Sequence, residues 1–261
     1  MIMALPLLRY SNNEAPKNYF ALQKGVLKIL GISFSGDESR WYRIYSFVWL
    51  TSVIISFSVI ELYELYIYKD DMDVTINNLS YLGTDLLGIA KMSVLLYHRL
   101  NIGKILDRME QGVFSPNKLR GGDFEEELIK RCILFSNRQT CLYYLSVGMV
   151  VFIGVVASLL KRHLEPEAEN WEMPYTTFSW FDIHRSPNFE IVCFYQFCWR
   201  GLYALIVSSI DSLIAGILAH ISVQCKILQN GIKKSIPYSK GCRSRKKDSF
   251  FWIQSVFQDR S

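Results

Sequence analysis

Between Thr140 and Leu160 the chain runs 21 residues without a charged side chain. A helix rises about 1.5 Å per residue, so such a run covers roughly the 30 Å of hydrocarbon in a bilayer. A soluble core helix of this length would show polar residues on the face turned to water, and this run has too few to make one. The stretch predicts a membrane span. Every other part of the chain must then be compatible with a polytopic protein.

Three more blocks fit that constraint. Ile44 to Ile60 is uncharged for 17 residues and continues through Glu61 and Glu64 into Leu65-Tyr66-Ile67-Tyr68, where tyrosines suit a water–lipid interface. Ile191 to Ile221 carries only Arg200 and Asp211 as charges. Val74 to Tyr97 is apolar but interrupted by Asp85 and Lys91, each of which would cost about 2.5–3.5 kcal/mol at mid-membrane unless a bundle interior or a membrane edge hosts it. The expected fold is all-α, a polytopic membrane helical bundle with spans near 45–66, 74–97, 140–160 and 197–220.

Positive charge gives the orientation, because cytoplasmic flanks accumulate Lys and Arg. The segment before the first span has six, the loop from His98 to Gln139 eight, and the tail beyond Ile221 nine, against one and three in the two remaining connections. Both ends are therefore expected in the cytosol. The net charge of +5 is read as a consequence of topology, with no nucleic-acid partner implied. Met1 to Leu8 is apolar but short and lacks a basic segment before it, so the first span is expected to serve as the targeting signal.

The connections carry their own signals. Residues 16–30 place Leu22, Val26, Ile29 and Leu30 on one face, which predicts an amphipathic helix ended by Gly31, set either on the inner membrane surface or against the bundle base. Ile102, Ile105, Leu106, Met109 and Val113 extend the second span's helical period to a break near Ser115-Pro116 and Gly121-Gly122. Glu125, Glu126 and Glu127 then open a new helix at its positive end, spaced to pair with Lys130 and Arg131. Lys161 to Phe189 is rich in proline and aromatic residues, which predicts a loop folded back over the bundle, with an interfacial aromatic belt as the alternative.

Catalytic chemistry finds little support. Topology divides the four histidines, His98 and His220 to the inner side and His163 and His184 to the outer, and Cys193 and Cys198 lack metal-ligand spacing. The sequence shows no phosphate-cradling glycine loop, nucleophile elbow or carboxylate pair in a credible pocket, so neither an enzyme nor a cofactor nor a metal site is expected. The charges inside the spans remain. Lys91 is expected to snorkel along its stem, Arg200 to reach the outer headgroups, and Asp211 to bond between helices.

The stretch Met173-Pro174-Tyr175, Trp180-Phe181-Asp182, Ser186-Pro187-Asn188-Phe189-Glu190, Gln196, Asp211, Leu213, His220, Gln224 and Leu228 resembles the corresponding segment of the insect odorant receptors. The likeness extends over roughly residues 14–235, and the related gustatory receptors share parts of it. It implies a ligand-binding subunit of an odorant-gated cation channel, working in olfactory neurons as a heterotetramer with a shared co-receptor subunit in the plasma membrane.

Family members have seven spans, the last lining the pore. Their volatile ligands enter an apolar pocket in the outer half of the bundle. That location places Leu79, Tyr81, Leu82, Val151, Phe152, Val155, Phe194, Phe197 and Trp199 as candidate ligand contacts. After Ile236-Pro237 the residues 237–261 form a basic tail that departs from the family pattern, and the expectation is a truncated form lacking the pore helix. A non-conducting adaptor or dominant-negative subunit is the alternative from another class.

Overall fold

A computed structural model describes residues 18–111, 114, 123–165, 167, 171–176 and 178–258, with 234–258 described as backbone alone. Five helices follow one another: α1 (Ala21–Ile29), α2 (Arg40–Ile67), α3 (Met72–Glu110), α4 (Asp123–Leu164) and α5 (Asn188–Gln258). The chain before residue 18, the break expected at Ser115-Pro116 and Gly121-Gly122, and the side chains of the basic tail lie outside the described residues.

Four helices, α2 to α5, are long and apolar enough to cross a membrane. Their outer surfaces agree. Leu145, Val150, Phe152 and Ile153 on α4, like Phe47, Val48 and Ile55 on α2, point large apolar side chains away from the protein. A belt of that size facing water would drive association, whereas hydrocarbon solvates it. The protein is a multi-pass membrane helical bundle.

Local signals set the helix ends. Ser39 caps α2 by accepting a hydrogen bond from the Tyr42 amide at 3.2 Å, and Asp71 caps α3 by accepting from the Asp73 and Val74 amides at 3.1 and 3.3 Å. Gly31 ends α1 at φ 91°, where a Cβ would be strained. The Ile32 and Gly31 amides then donate to the Leu27 and Lys28 carbonyls at 2.7 and 3.2 Å, a Schellman closure with both Leu27 and Ile32 fully buried.

Three expectations shift. The segment opened by Glu125 to Glu127 is continuous with the third span, so α4 is one helix of 42 residues, its first turns carrying the Glu126–Lys130 and Glu127–Arg131 pairs, each at 2.7 Å. The α1 face is also rotated: Ile29 is exposed and Gln23 is buried, its amide donating to Thr140 Oγ1 at 2.8 Å. That bond and the burial of Leu27 and Leu30 pack α1 against the bundle base. Finally, the α5 backbone stays helical through Pro237 to Gln258.

The main apolar core gathers around Phe20, Leu27, Met92, Leu106, Ile129, Ile206 and Ile210, at the end of the bundle that holds α1. A small second cluster of Ile60, Phe178 and Val192 lies at the opposite end, under the loop that joins α4 to α5. On α5, Arg200 falls between the residues contributed to the two clusters.

Candidate ligand site

Glu61 of α2, Asp85 of α3 and Arg200 of α5 converge inside the bundle. The Arg200 guanidinium donates through Nη1 to Asp85 Oδ1 and through Nη2 to Glu61 Oε1, both at 2.6 Å. Glu61 is 0% exposed and the Arg200 side chain 9%. A charge left alone at this depth would be prohibitive, so the three groups exist there only as a set. Arg200 therefore does not run outward to the headgroups, contrary to the sequence-based expectation. Its stem is too deep in α5, and opposite charges on two neighbouring helices are within reach.

Aromatic rings complete the surroundings. The guanidinium carbon lies 4.6 Å from the Phe57 ring centroid, 5.3 Å from Tyr81 and 5.7 Å from Tyr175. The negative faces of such rings favour a cation, and Arg is the cation most often found there. Tyr203 adds support from α5 by donating its hydroxyl to the Asp85 carbonyl at 2.8 Å.

Tyr175 comes from the loop. Its hydroxyl donates to the Val151 carbonyl of α4 at 2.9 Å, in the space left by Gly154, where a Cβ would sit 3.0 Å from that oxygen. Gln196 of α5, fully buried, holds the neighbouring backbone: its Oε1 accepts from the Tyr175 amide at 3.3 Å and its Nε2 donates to the Thr176 carbonyl at 2.8 Å. Thr176 in turn donates to Asn78 Oδ1 of α3 at 3.2 Å. Glu64, buried one turn beyond Glu61, accepts from the Ser179 amide at 2.6 Å and its hydroxyl at 2.7 Å.

At the α5 entrance, Arg162 pairs with Glu190 at 2.7 Å and lies over the Trp171 and Phe189 rings at 4.6 and 4.9 Å. With Phe178 buried as well, the loop is a cover tied to all four long helices.

A family model described as 7tm Odorant receptor matches residues 71–250, well over half of the chain. The chain belongs to the odorant receptor family. The match runs past Ile236-Pro237, where the sequence likeness was expected to end. No match is found among curated proteins or among solved structures. Membership makes this a chemoreceptor, with odorants as the ligand class and the bilayer as its solvent.

Within the receptor, the expected ligand contacts divide. Tyr81, Leu82, Val151, Val155 and Trp199 face inward in whole or part; Tyr81 stands over Arg200, Val151 receives Tyr175, and Trp199 packs on Trp49 at 5.5 Å. Leu79, Phe152 and Phe194 are 55, 54 and 68% exposed, on the outer face of their helices, and Phe197 is 37% exposed. Rotation about the helix axis separates the two groups, as where Val151 is buried and its neighbour Phe152 exposed.

The motif residues also spread. Pro174 and Gln196 flank and hold Tyr175, while Trp180 packs edge-on to Tyr63 at 5.4 Å. Asp182 accepts from the His184 amide at 3.1 Å and pairs with Arg185 at 2.9 Å, and Pro187 lies exposed just before α5. Asp211 pairs with Lys91 of α3 at 2.8 Å, the bond between helices expected of Asp211, whereas Lys91 does not snorkel away as expected of it. His220 is buried against Tyr19 and Phe20 at the α1 end, with Gln224 donating to the Phe114 carbonyl at 3.0 Å.

Glu61, Glu64 and Phe57 are the residues that sequence reasoning missed. Their signal is present: two carboxylates three residues apart share one helix face, at the depth where Arg200 needs a partner.

Proposed function

We propose that this receptor is the ligand-binding subunit of an odorant-gated cation channel in the plasma membrane of olfactory sensory neurons, working in a heterotetramer with a co-receptor subunit. The odorant site is the region around Tyr81, Leu82, Val151, Val155 and Trp199, beneath the loop and beside Arg200. The observation that carries the reading is Tyr175: a loop residue seated among α3, α4 and α5 couples the outer cover directly to the bundle interior. An odorant bound beside it would bias both the loop and the helices, which is what a ligand-gated protein requires. The excess of Lys and Arg at the α1 end supports placing that end in the cytosol and the loop outside.

The test is co-expression of the full chain with a co-receptor subunit and recording of odour-evoked current. Current whose half-maximal concentration rises about tenfold or more in Tyr81→Ala supports the assignment. A chain that reaches the surface, carries no evoked current and suppresses the current of a second receptor is instead the adaptor of the alternative reading. Expression in taste neurons with responses to tastants would reassign it as a gustatory receptor.

A further inference from the structure

A cavity of about 230 Å³ lies at the α1 end of the bundle, far from the loop, between α1, the link that follows it and α3. Lys24, Lys28, Ser33, Ser35 and Asp107 give it polar walls, and Phe34 an apolar one. Gly103 shapes it from α3. A Cβ there would sit 2.5 Å from the Phe34 carbonyl oxygen, so only glycine lets the link lie this close.

Its depth follows from α2. The Tyr42 and Tyr45 hydroxyls donate to the Lys28 and Ile29 carbonyls, each at 2.7 Å, which holds the end of α1 level with the first turns of α2. There Trp41, Ile44 and Phe47 are exposed, and the exposed Tyr97 marks the same border on α3, under two turns before Gly103. The cavity therefore lies at the level of the lipid headgroups.

Most of the charge around it is already matched. Glu110 accepts from Lys24 at 2.9 Å and from the Phe20 amide at 3.3 Å, and Glu38 accepts from the Ser33 and Ser35 hydroxyls. Two opposite charges on the wall are less committed. The Lys28 side chain, 60% exposed, lies 3.7 Å from Glu38, and the Asp107 side chain, 67% exposed, lies 3.6 Å from Lys24, both beyond hydrogen-bond reach.

We propose that this cavity is a lipid site for an ethanolamine headgroup, whose phosphodiester accepts from Lys28 while its primary ammonium donates to Asp107. A zwitterion suits a wall with one unmet charge of each sign. The volume is below the roughly 300–1,000 Å³ of drug-sized sites, so it takes a headgroup and leaves the acyl chains in the bilayer. Other headgroups fit worse. Choline has no N–H to give Asp107, glycerol has no cation for it, and serine brings a second carboxylate beside it.

The full chain in detergent micelles, titrated with phosphatidylethanolamine, -choline, -glycerol and -serine and with water-soluble O-phosphoethanolamine, and followed by thermal unfolding, tests this. The ethanolamine lipid is expected to half-saturate at about tenfold lower concentration than the choline lipid, as a hydrogen bond to a charged group implies. Asp107→Asn should shrink that ratio to about threefold or less by weakening the ethanolamine lipid alone. Lys28→Gln should weaken both lipids and keep the ratio, since both carry the phosphodiester. Both side chains are exposed, so neither substitution should prevent folding.

Equal binding of the two lipids, or an Asp107→Asn variant with the ratio intact, overturns the inference. Tighter binding of the glycerol or serine lipid overturns it in favour of a surface that holds anionic lipid through its Lys and Arg. Saturation by O-phosphoethanolamine at the same concentration as the lipid overturns the bilayer as the source.

Discussion

Arg200 and Asp85, 115 residues apart in the chain, meet at 2.6 Å with both side chains buried, and the same guanidinium holds Glu61 at 2.6 Å. One cation on α5 thus fixes the positions of α2 and α3. The bond pattern sets rotation as well as distance, because only one face of each helix carries the partner.

Removing Arg200 therefore does more than delete two bonds, since it leaves two carboxylates facing each other in a buried place. Arg200→Met is expected to lower stability by about 3–5 kcal/mol, the cost of breaking a buried pair. The triple variant Arg200→Met, Glu61→Gln, Asp85→Asn should recover much of that loss, because its remaining groups are neutral. Thermal unfolding in detergent and surface delivery in cells measure both. A triple variant no better than the single one would mean that the loss comes from packing, not from stranded charge.

How much of this was legible beforehand follows from what each signal depends on. The four membrane helices depend on hydropathy and length, which are properties of one segment, so Thr140 to Leu160 announces itself alone. The helix caps at Ser39 and Asp71 and the stop at Gly31 are equally local. Rotation is not local. The exposed Phe194 and the buried Gln196 lie two residues apart in the same apolar run, and hydropathy cannot tell which faces the bundle when lipid solvates the other. The Arg200 cluster joins three helices, and its members look like isolated defects until the helices are placed side by side. Tyr175 was visible as part of a motif, but its descent onto Val151 depends on the space beside Gly154 of another helix.

The contact between α3 and α5 turns on Gly88. A Cβ built there would lie 1.9 Å from the Tyr203 hydroxyl and 2.7 Å from its ring carbon. Gly88→Ala must push Tyr203 off its bond to the Asp85 carbonyl or spread the helices, with an expected loss of about 1–3 kcal/mol. Tyr203→Phe should not relieve it, since the ring carbon still clashes, whereas Tyr203→Leu should. A double-mutant cycle of Gly88→Ala with Tyr203→Leu is expected to be clearly less than additive. Additive losses would show that the two residues do not compete for the same space.

The loop should open without unfolding the bundle. Glu64 receives both the Ser179 amide and the Ser179 hydroxyl, at 2.6 and 2.7 Å. Glu64→Gln can still accept one of these bonds but loses the charge on both, an expected loss of about 1.5–3 kcal/mol confined to the loop. Amide exchange at Ser179 should rise about tenfold or more, while amides in the middle of α4 keep their protection. Uniform acceleration across the helices would place Glu64 in the global fold rather than in the cover.

Acidification should act at the other end of the bundle, through Glu38. Its Oε1 accepts from the hydroxyls of Ser33 and Ser35, with Lys28 at 3.7 Å, in the link between α1 and α2. The hydrogen bond from Ser33, then that from Ser35, holds its carboxyl below the ordinary value of 4.5, with Lys28 adding a smaller effect. A depressed carboxylate stabilises the folded state when ionised. That contribution is complete above the unfolded value and is lost as pH falls through the lower folded one. Comparing wild type with Glu38→Gln isolates it: the gap in unfolding midpoint should be widest near neutral pH and close as pH falls through and below the ordinary value of 4.5. A gap that stays constant across that range would show that the carboxylate charge adds nothing to the α1 attachment.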